Sequence, residues 1–261
     1  MADKTIIAWT NHTFNIAWGC TKVSPGCKNC YADTLSSRYG HDVWGPRKPR
    51  RVLSDKYWKE PLKWNADAEA AGERRRVFSS SMCDILEDHP TITEQRGRLW
   101  ELIRATPWLD WQLLTKRPER YAECLPLDWG PTGWNNVWIG TSVENDEYTW
   151  RAEAIKQIPA VVRFISYEPA LGPLPSLRLD GLDWVIYGGE SGPGYREHDL
   201  EWPRVMKRRC EDQGVAFFYK QSAAYRTELG IELDGETVRK YPTPRKGAIP
   251  APHAQREMSL I

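Results

Sequence analysis

From about residue 76 to residue 221 the chain alternates short apolar runs, rich in β-branched and aromatic residues, with stretches of helical periodicity. Arg76–Asp84, Asp110–Thr115, Asn136–Glu144, Val161–Glu168, Leu182–Tyr187 and Val215–Lys220 read as strands. Thr13–Trp18, earlier in the chain, alternates well enough to be a first strand, which makes seven. Between them the spacing predicts helices over Tyr31–Tyr39, stopped by Gly40, and over Trp58–Ala71, entered near Pro61 and ended by Gly72. A third is capped by Thr91, with Glu94 at the capping-box position, and runs to Ala105. Pro118 opens a fourth, and two more cover about Glu147–Gln157 and Glu201–Gly214. Residues 41–57 read as a long loop whose basic run Arg47–Arg51 is either a solvated surface or a phosphate site.

Strands that alternate with helices imply βαβ units and a parallel sheet, and a series of right-handed crossovers curls such a sheet. The expected class is therefore α/β: a partial TIM-like (β/α) barrel with parallel strands over residues 1–221, plus a C-terminal hairpin extension over 222–261. Ile231–Val238, with Asp234-Gly235 at its turn, reads as the hairpin. From Pro242 the tail is Pro-rich and polar and reads as disordered.

Charge changes this picture little, because 36 Lys and Arg face 35 Asp and Glu. The field of the whole molecule argues neither for nor against nucleic acid. Six cysteines, three of them in one loop, do not make a secreted disulfide scaffold and suit a reducing compartment. Met1-Ala-Asp-Lys-Thr carries no signal-peptide pattern and no run is long enough to span a membrane, so the expectation is a soluble cytoplasmic protein without a membrane partner. Of the 14 tryptophans, Trp100, Trp138 and Trp184 fall in periodic segments and read as core. Trp44 and Trp134 lie beside Gly and Pro, either as loop anchors or as a stacking surface for a base or sugar.

The strongest chemical signal is the stretch Trp18–Tyr31, which places Cys20, Cys27 and Cys30 at C-x6-C-x2-C spacing. Three thiolates without a fourth nearby fit a [4Fe–4S] cluster with one open iron, or a zinc site completed by a distant Cys or His. The histidines, His12, His41, His89, His198 and His253, form no ligand-spaced pair. Cys124 and Cys210 read as core thiols, and Cys83 as packing, a fourth ligand or a radical relay. In a parallel barrel the C-terminal strand ends open on one face, where ligands bind. Ser81, Asp84, Thr115, Lys116, Thr141, Ser142, Glu144, Asn145, Glu168, Glu190, Lys220 and Gln221 all fall at such ends. The cysteine loop follows the first strand and joins them.

A cysteine loop after strand one of an α/β barrel resembles the radical S-adenosylmethionine (radical SAM) superfamily. More closely, Gly19-Cys20 and Pro25-Gly26-Cys27-Lys28-Asn29-Cys30-Tyr31-Ala32 look like phage and prophage proteins described as radical-SAM-like but uncharacterised in function. Leu113–Pro118, Gly140–Asn145, Ser166–Pro169 and Gly188–Gly192 fit that smaller family too, and the resemblance spans roughly residues 10–240. It implies a [4Fe–4S] cluster on Cys20, Cys27 and Cys30 whose open iron binds the amino and carboxylate groups of SAM. Reductive cleavage would then give methionine and a 5′-deoxyadenosyl radical, with the electron coming from a reductant protein.

Expected around SAM are Ser81, Thr141, Ser142, Glu144, Asn145, Glu168, Gly189 and Glu190, with Ser142, Glu144 and Glu168 meeting a ribose or amino group. Lys116, Arg117 and Lys220 would hold the phosphates of a nucleic acid or nucleotide substrate. The chain departs from the superfamily in three ways. Its first gap is six residues rather than three, Asn29 replaces the aromatic before the last cysteine, and Gly188-Gly189-Glu190 comes several strands late. That triplet reads either as close backbone approach to a ligand, with Glu190 binding a hydroxyl or amine, or as a tight turn. The competing function is a non-catalytic, zinc-stabilised nucleic-acid-binding protein. A third is a peptide-modifying enzyme.

Overall fold

The computed structural model describes residues 5–245. The chain runs β1 (His12–Phe14), β2 (Ala17–Trp18), α1 (Tyr31–Arg38), β3 (Arg51–Val52), α2 (Asp55–Trp58), α3 (Glu60–Ala71), β4 (Arg75–Ser79) and α4 (Pro90–Ala105). It continues β5 (Leu109–Thr115), α5 (Tyr121–Cys124), β6 (Val137–Ser142), α6 (Trp150–Lys156), β7 (Val162–Tyr167), β8 (Trp184–Gly188), α7 (Glu201–Asp212) and β9 (Ala216–Gln221). Seven strands form one parallel sheet in chain order, β1-β4-β5-β6-β7-β8-β9. The sheet curls into a half-barrel, as the alternation of strands and helices requires.

Strand alternation divides the sheet into two faces. Val77, Trp111, Val137, Ile139, Ile165, Val185 and Phe217 point outward. They pack against α3 (Trp64, Ala68), α4 (Leu99, Ile103), α6 (Ala152, Ile155) and α7 (Met206, Cys210) in the main core. Phe78, Trp138, Val162, Phe164, Trp184, Ile186 and Phe218 fill the concave face with Trp9 as a second core. Gly140 lies on that face because a Cβ there would stand 2.3 Å from the Phe164 ring. Above this aromatic layer, at the C-terminal strand ends, the concave side chains turn polar.

Several local expectations change. Asn15 splits the run Thr13–Trp18: its Oδ1 accepts from the Met82 amide at 2.7 Å, and its own amide donates to the Tyr57 hydroxyl at 2.8 Å. Beyond the break, β2 pairs antiparallel with β3, so residues 41–57 hold a strand and the start of α2 rather than loop alone. The cap of α4 is His89, whose Nδ1 accepts from the Thr91 amide at 3.2 Å, with Pro90 as the first helical residue. No helix joins β7 to β8; residues 168–183 cross as loop.

The Asp234-Gly235 turn forms with positive φ at both positions, closed by the Leu233–Glu236 bridge. Residues 238–240 then run antiparallel along the free edge of β9. Arg245 pairs with Asp183 at 3.0 Å, so the start of the expected disordered tail is docked. Residues 246–261 lie outside the described residues. None of the described helices is long and apolar enough to cross a membrane.

Candidate active site

A cavity of about 560 Å3 opens at the C-terminal strand ends, a size typical of small-molecule sites. Its floor is apolar: Trp9, Phe78 and Leu114. One wall is the cysteine loop, with Cys20, Cys27 and Cys30 all lining the cavity, and Cys83 lines it as well. Lys116, Ser142, Ser166, Glu168 and Lys220 line it too.

The cysteine loop has no regular structure beyond one turn at Pro25–Cys27, so side chains from other elements must hold it. Four carboxylate–arginine pairs do this. Glu144 is fully buried; its carboxylate accepts from the Ser24 hydroxyl at 2.6 Å and from Arg151 at 2.9 Å. Gly26 allows this approach, because a Cβ there would lie 2.5 Å from the Glu144 carboxylate. Glu190 accepts from Asn29 Nδ2 at 2.9 Å and from the amide and side chain of Arg196, and Arg196 donates to the Pro25 carbonyl at 3.1 Å. Arg117 donates to the Thr21 carbonyl at 2.7 Å and to Asp84 at 2.9 Å, while Arg50 forks onto Glu87 with two 2.8 Å bonds.

These anchors correct several expected roles. Thr141 donates to the Thr115 carbonyl, Asn145 caps the short turn at Asp146–Tyr148, and Glu144 lies beneath the loop; none of the three lines the cavity. Arg117 is buried against Cys20, Asp84 and Thr21 and has no free donor fork for a phosphate. Glu190 does line the cavity, but four hydrogen bonds already saturate its carboxylate. Gly189 is small because a Cβ there would meet the Ala223 amide at 2.1 Å, a backbone contact rather than a ligand contact. Ser81, Lys116, Ser142, Glu168 and Lys220 remain on the cavity wall.

Lys116 donates to Ser142 Oγ at 3.1 Å and stands 3.8 Å from Glu144, and Lys220 pairs with Glu168. Sequence reasoning missed Asn15, Ser24, Arg50, Glu87, Arg151, Ser166 and Arg196. Arg50 had a faint signal, as part of the basic run, but the run gave no sign that this arginine is buried.

The thiols themselves are held in different surroundings. Burial pushes the Cys20 thiol well above its usual range, and Asp84 adds to this against the opposing charge of Arg117. Burial also raises Cys30, against the amides of Asp33 and Ala32 in the first turn of α1 and the charge of Lys116. Cys83 is pushed up to about 12 by burial. Such thiols stay protonated until a metal centre displaces the proton. Among the described residues no three His, Cys, Asp or Glu side chains converge to hold a single metal ion. Three cavity-lining thiols, spread along one loop with an N–H donor on Cys20, do suit a cluster, whose thiolates bind separate irons.

The molecule is thus an α/β half-barrel with a cysteine-walled cavity at its strand ends. It belongs to the family described as "Protein of unknown function (DUF5131)", whose model matches residues 4–242. No curated protein matches it. Among solved structures it is similar to a spore photoproduct lyase mutant with bound AdoMet and dinucleoside spore photoproduct, at TM-score 0.45 and 15% identity over 81% of this chain and 56% of that one. A second mutant of that lyase matches at TM-score 0.42 and 14% identity over 79% and 54%. The lyase complexed with dinucleoside spore photoproduct matches at 0.43 and 16% over 74% and 59%. The chain spans a little over half the length of these structures.

Proposed function

We propose that this protein is a radical SAM enzyme that holds a [4Fe–4S] cluster on Cys20, Cys27 and Cys30, binds SAM across the strand ends, and acts on a nucleotide unit of a nucleic acid. The observation that carries this reading is that all three thiols of the C-x6-C-x2-C loop line one cavity at the C-terminal ends of a parallel half-barrel. When bound, the cluster and SAM supply one-electron cleavage of SAM to methionine and a 5′-deoxyadenosyl radical, with the electron drawn from a reductant protein.

The chain's own residues bind, orient and exclude water. Trp9, Phe78 and Leu114 keep the floor dry. Lys116 and Ser142 offer a cation and a hydroxyl beside the cysteine loop, suited to a carboxylate or phosphate. The Glu168–Lys220 pair offers an acceptor for ribose hydroxyls and a second cation. A nucleotide is the class that uses two cations together with an aromatic floor, and Trp44 and Tyr31 at the cavity wall extend the surface on which a base could stack.

The test is anaerobic reconstitution with iron and sulfide, followed by incubation of the reduced protein with SAM. Iron with matching sulfide, and release of 5′-deoxyadenosine, are expected. Cys20→Ala, Cys27→Ala and Cys30→Ala should each lose the cluster absorbance, while Cys124→Ala and Cys210→Ala retain it. A normal cluster in Cys27→Ala would sink the assignment.

A further inference from the structure

The three thiols of the loop differ in what faces their sulfur. The Ser24 hydroxyl lies 3.8 Å from Cys27 Sγ, and Cys30 heads α1. Cys20 Sγ instead accepts from the guanidinium of Arg117, at 3.7 Å. That guanidinium is fixed from every side. Its Nη1 also bonds Asp84 at 2.9 Å, its Nη2 bonds the Thr21 carbonyl at 2.7 Å, and Glu87 stands 3.7 Å away. Asp84 in turn is pinned by the Thr115 hydroxyl at 2.7 Å and by the amides of Lys116 and Leu86, both at 3.0 Å. Glu87 is pinned by the Arg50 fork, and Arg50 also reaches the Thr21 hydroxyl at 3.1 Å.

All four charged residues are at most 8% exposed. Two arginines balance two carboxylates, so the network is neutral as a whole. What it directs at the sulfur is a single cationic N–H, held too rigidly to swing away.

We infer that Arg117 is a positioning residue for the iron–sulfur site: its guanidinium, locked by Asp84, Glu87 and Thr21, fixes Cys20 and donates an N–H···S bond that favours the reduced, more negative cluster. The inference rests on the cluster assignment made above. It gives Arg117 a role toward the cofactor in place of the substrate. The physical basis is that hydrogen bonds and positive charge at cysteine sulfur raise a cluster's reduction potential, because the added electron sits partly on sulfur.

The test compares wild type, Arg117→Gln and Arg117→Lys after anaerobic reconstitution. Failure of wild type to take up iron and sulfide would overturn the cluster reading itself, before the arginine is addressed. Given a loaded wild type, Arg117→Gln should lower the reduction equilibrium constant about tenfold, about 59 mV for one electron. It should also raise the Fe–S(Cys) stretching frequency in resonance Raman spectra. A Gln variant with full iron, wild-type potential and wild-type stretching frequency overturns the inference.

Arg117→Gln leaves Asp84 and Glu87 short of a counter-charge, so if it does not fold, Arg117→Lys carries the test. An ammonium keeps the pairing with Asp84 but has no fork to serve Thr21 and Cys20 at once. It should therefore show a smaller drop in potential and the same upward Raman shift. A merely structural arginine would lower the melting temperature and leave both readouts where they are in wild type.

Discussion

Glu87 shows how far single residues here depend on their partners. Burial alone would raise its carboxyl pKa, but the Arg50 fork, the Thr21 hydroxyl and the charges of Arg50 and Arg117 outweigh that and hold it below the usual range. A depressed folded-state value means the stabilisation is complete above the unfolded glutamate value, about 4.3, and is lost as pH falls through the folded value. Glu87→Gln should therefore cost about 3–5 kcal/mol near neutral pH, the penalty for leaving buried guanidinium charge uncompensated. The gap from wild type in urea denaturation should narrow as the pH drops below about 4. A pH-independent gap would show that the charge contributes nothing. At this scale the spacing of Cys20, Cys27 and Cys30 marked out one loop, and all three line the cavity. The sequence misled for Glu144 and Glu190. Their position at strand ends was visible, but β6 stops at Ser142 and the chain bends, so Glu144 turns under the loop instead of into the cavity. Only the fold could show that Ser24 and Asn29 would claim these carboxylates.

At the scale of elements, the strong strands were readable because their apolar runs are long enough to show a period. β2, β3 and α2 were not, at two, two and four residues. They exist because tertiary partners such as Tyr57 and Asn15 stabilise them, which no local window displays. The cysteine loop is the extreme case, an element shaped wholly by its neighbours. Gly26→Ala tests that dependence. The new Cβ would meet Glu144, which Arg151 prevents from withdrawing, so the loop must lift. The expected result is weakened iron retention. Gly72→Ala is the control: this glycine ends α3 at φ 64° with open space around it. Its replacement should cost about 1 kcal/mol through backbone strain and leave iron binding unchanged. Equal iron retention in the two variants would mean that the Glu144 contact does not set the loop's position.

At the scale of the whole molecule, a half-barrel has an open side that a closed barrel lacks, since β1 and β9 are the two ends of the sheet. Parallel strands in chain order were readable from the rhythm of the sequence; how the open side is covered was not. The N-terminal stretch before β1 carries no periodicity, yet Trp9 is 2% exposed, on Phe78 at 4.6 Å, Trp184 at 6.1 Å and Phe164 at 6.3 Å between ring centroids. From the other end of the chain, Tyr241 donates to the Ala8 carbonyl at 3.0 Å and stacks under Arg76 at 4.0 Å. The two segments meet at Ala8, and Trp9 is part of the cavity floor. Trp9→Ala should therefore cost about 3–5 kcal/mol, the usual penalty for emptying a buried aromatic site. It should also weaken SAM binding at temperatures where the variant stays folded, because water then reaches the floor. Trp9→Phe separates packing from polarity. The indole Nε1 is buried without a hydrogen-bond partner, so losing it removes an unpaired donor and should cost under about 1.5 kcal/mol. Melting temperature and SAM affinity measured on the same samples decide the matter. If Trp9→Ala melts with wild type, the segment is a passenger and the open side of the half-barrel is closed by something else.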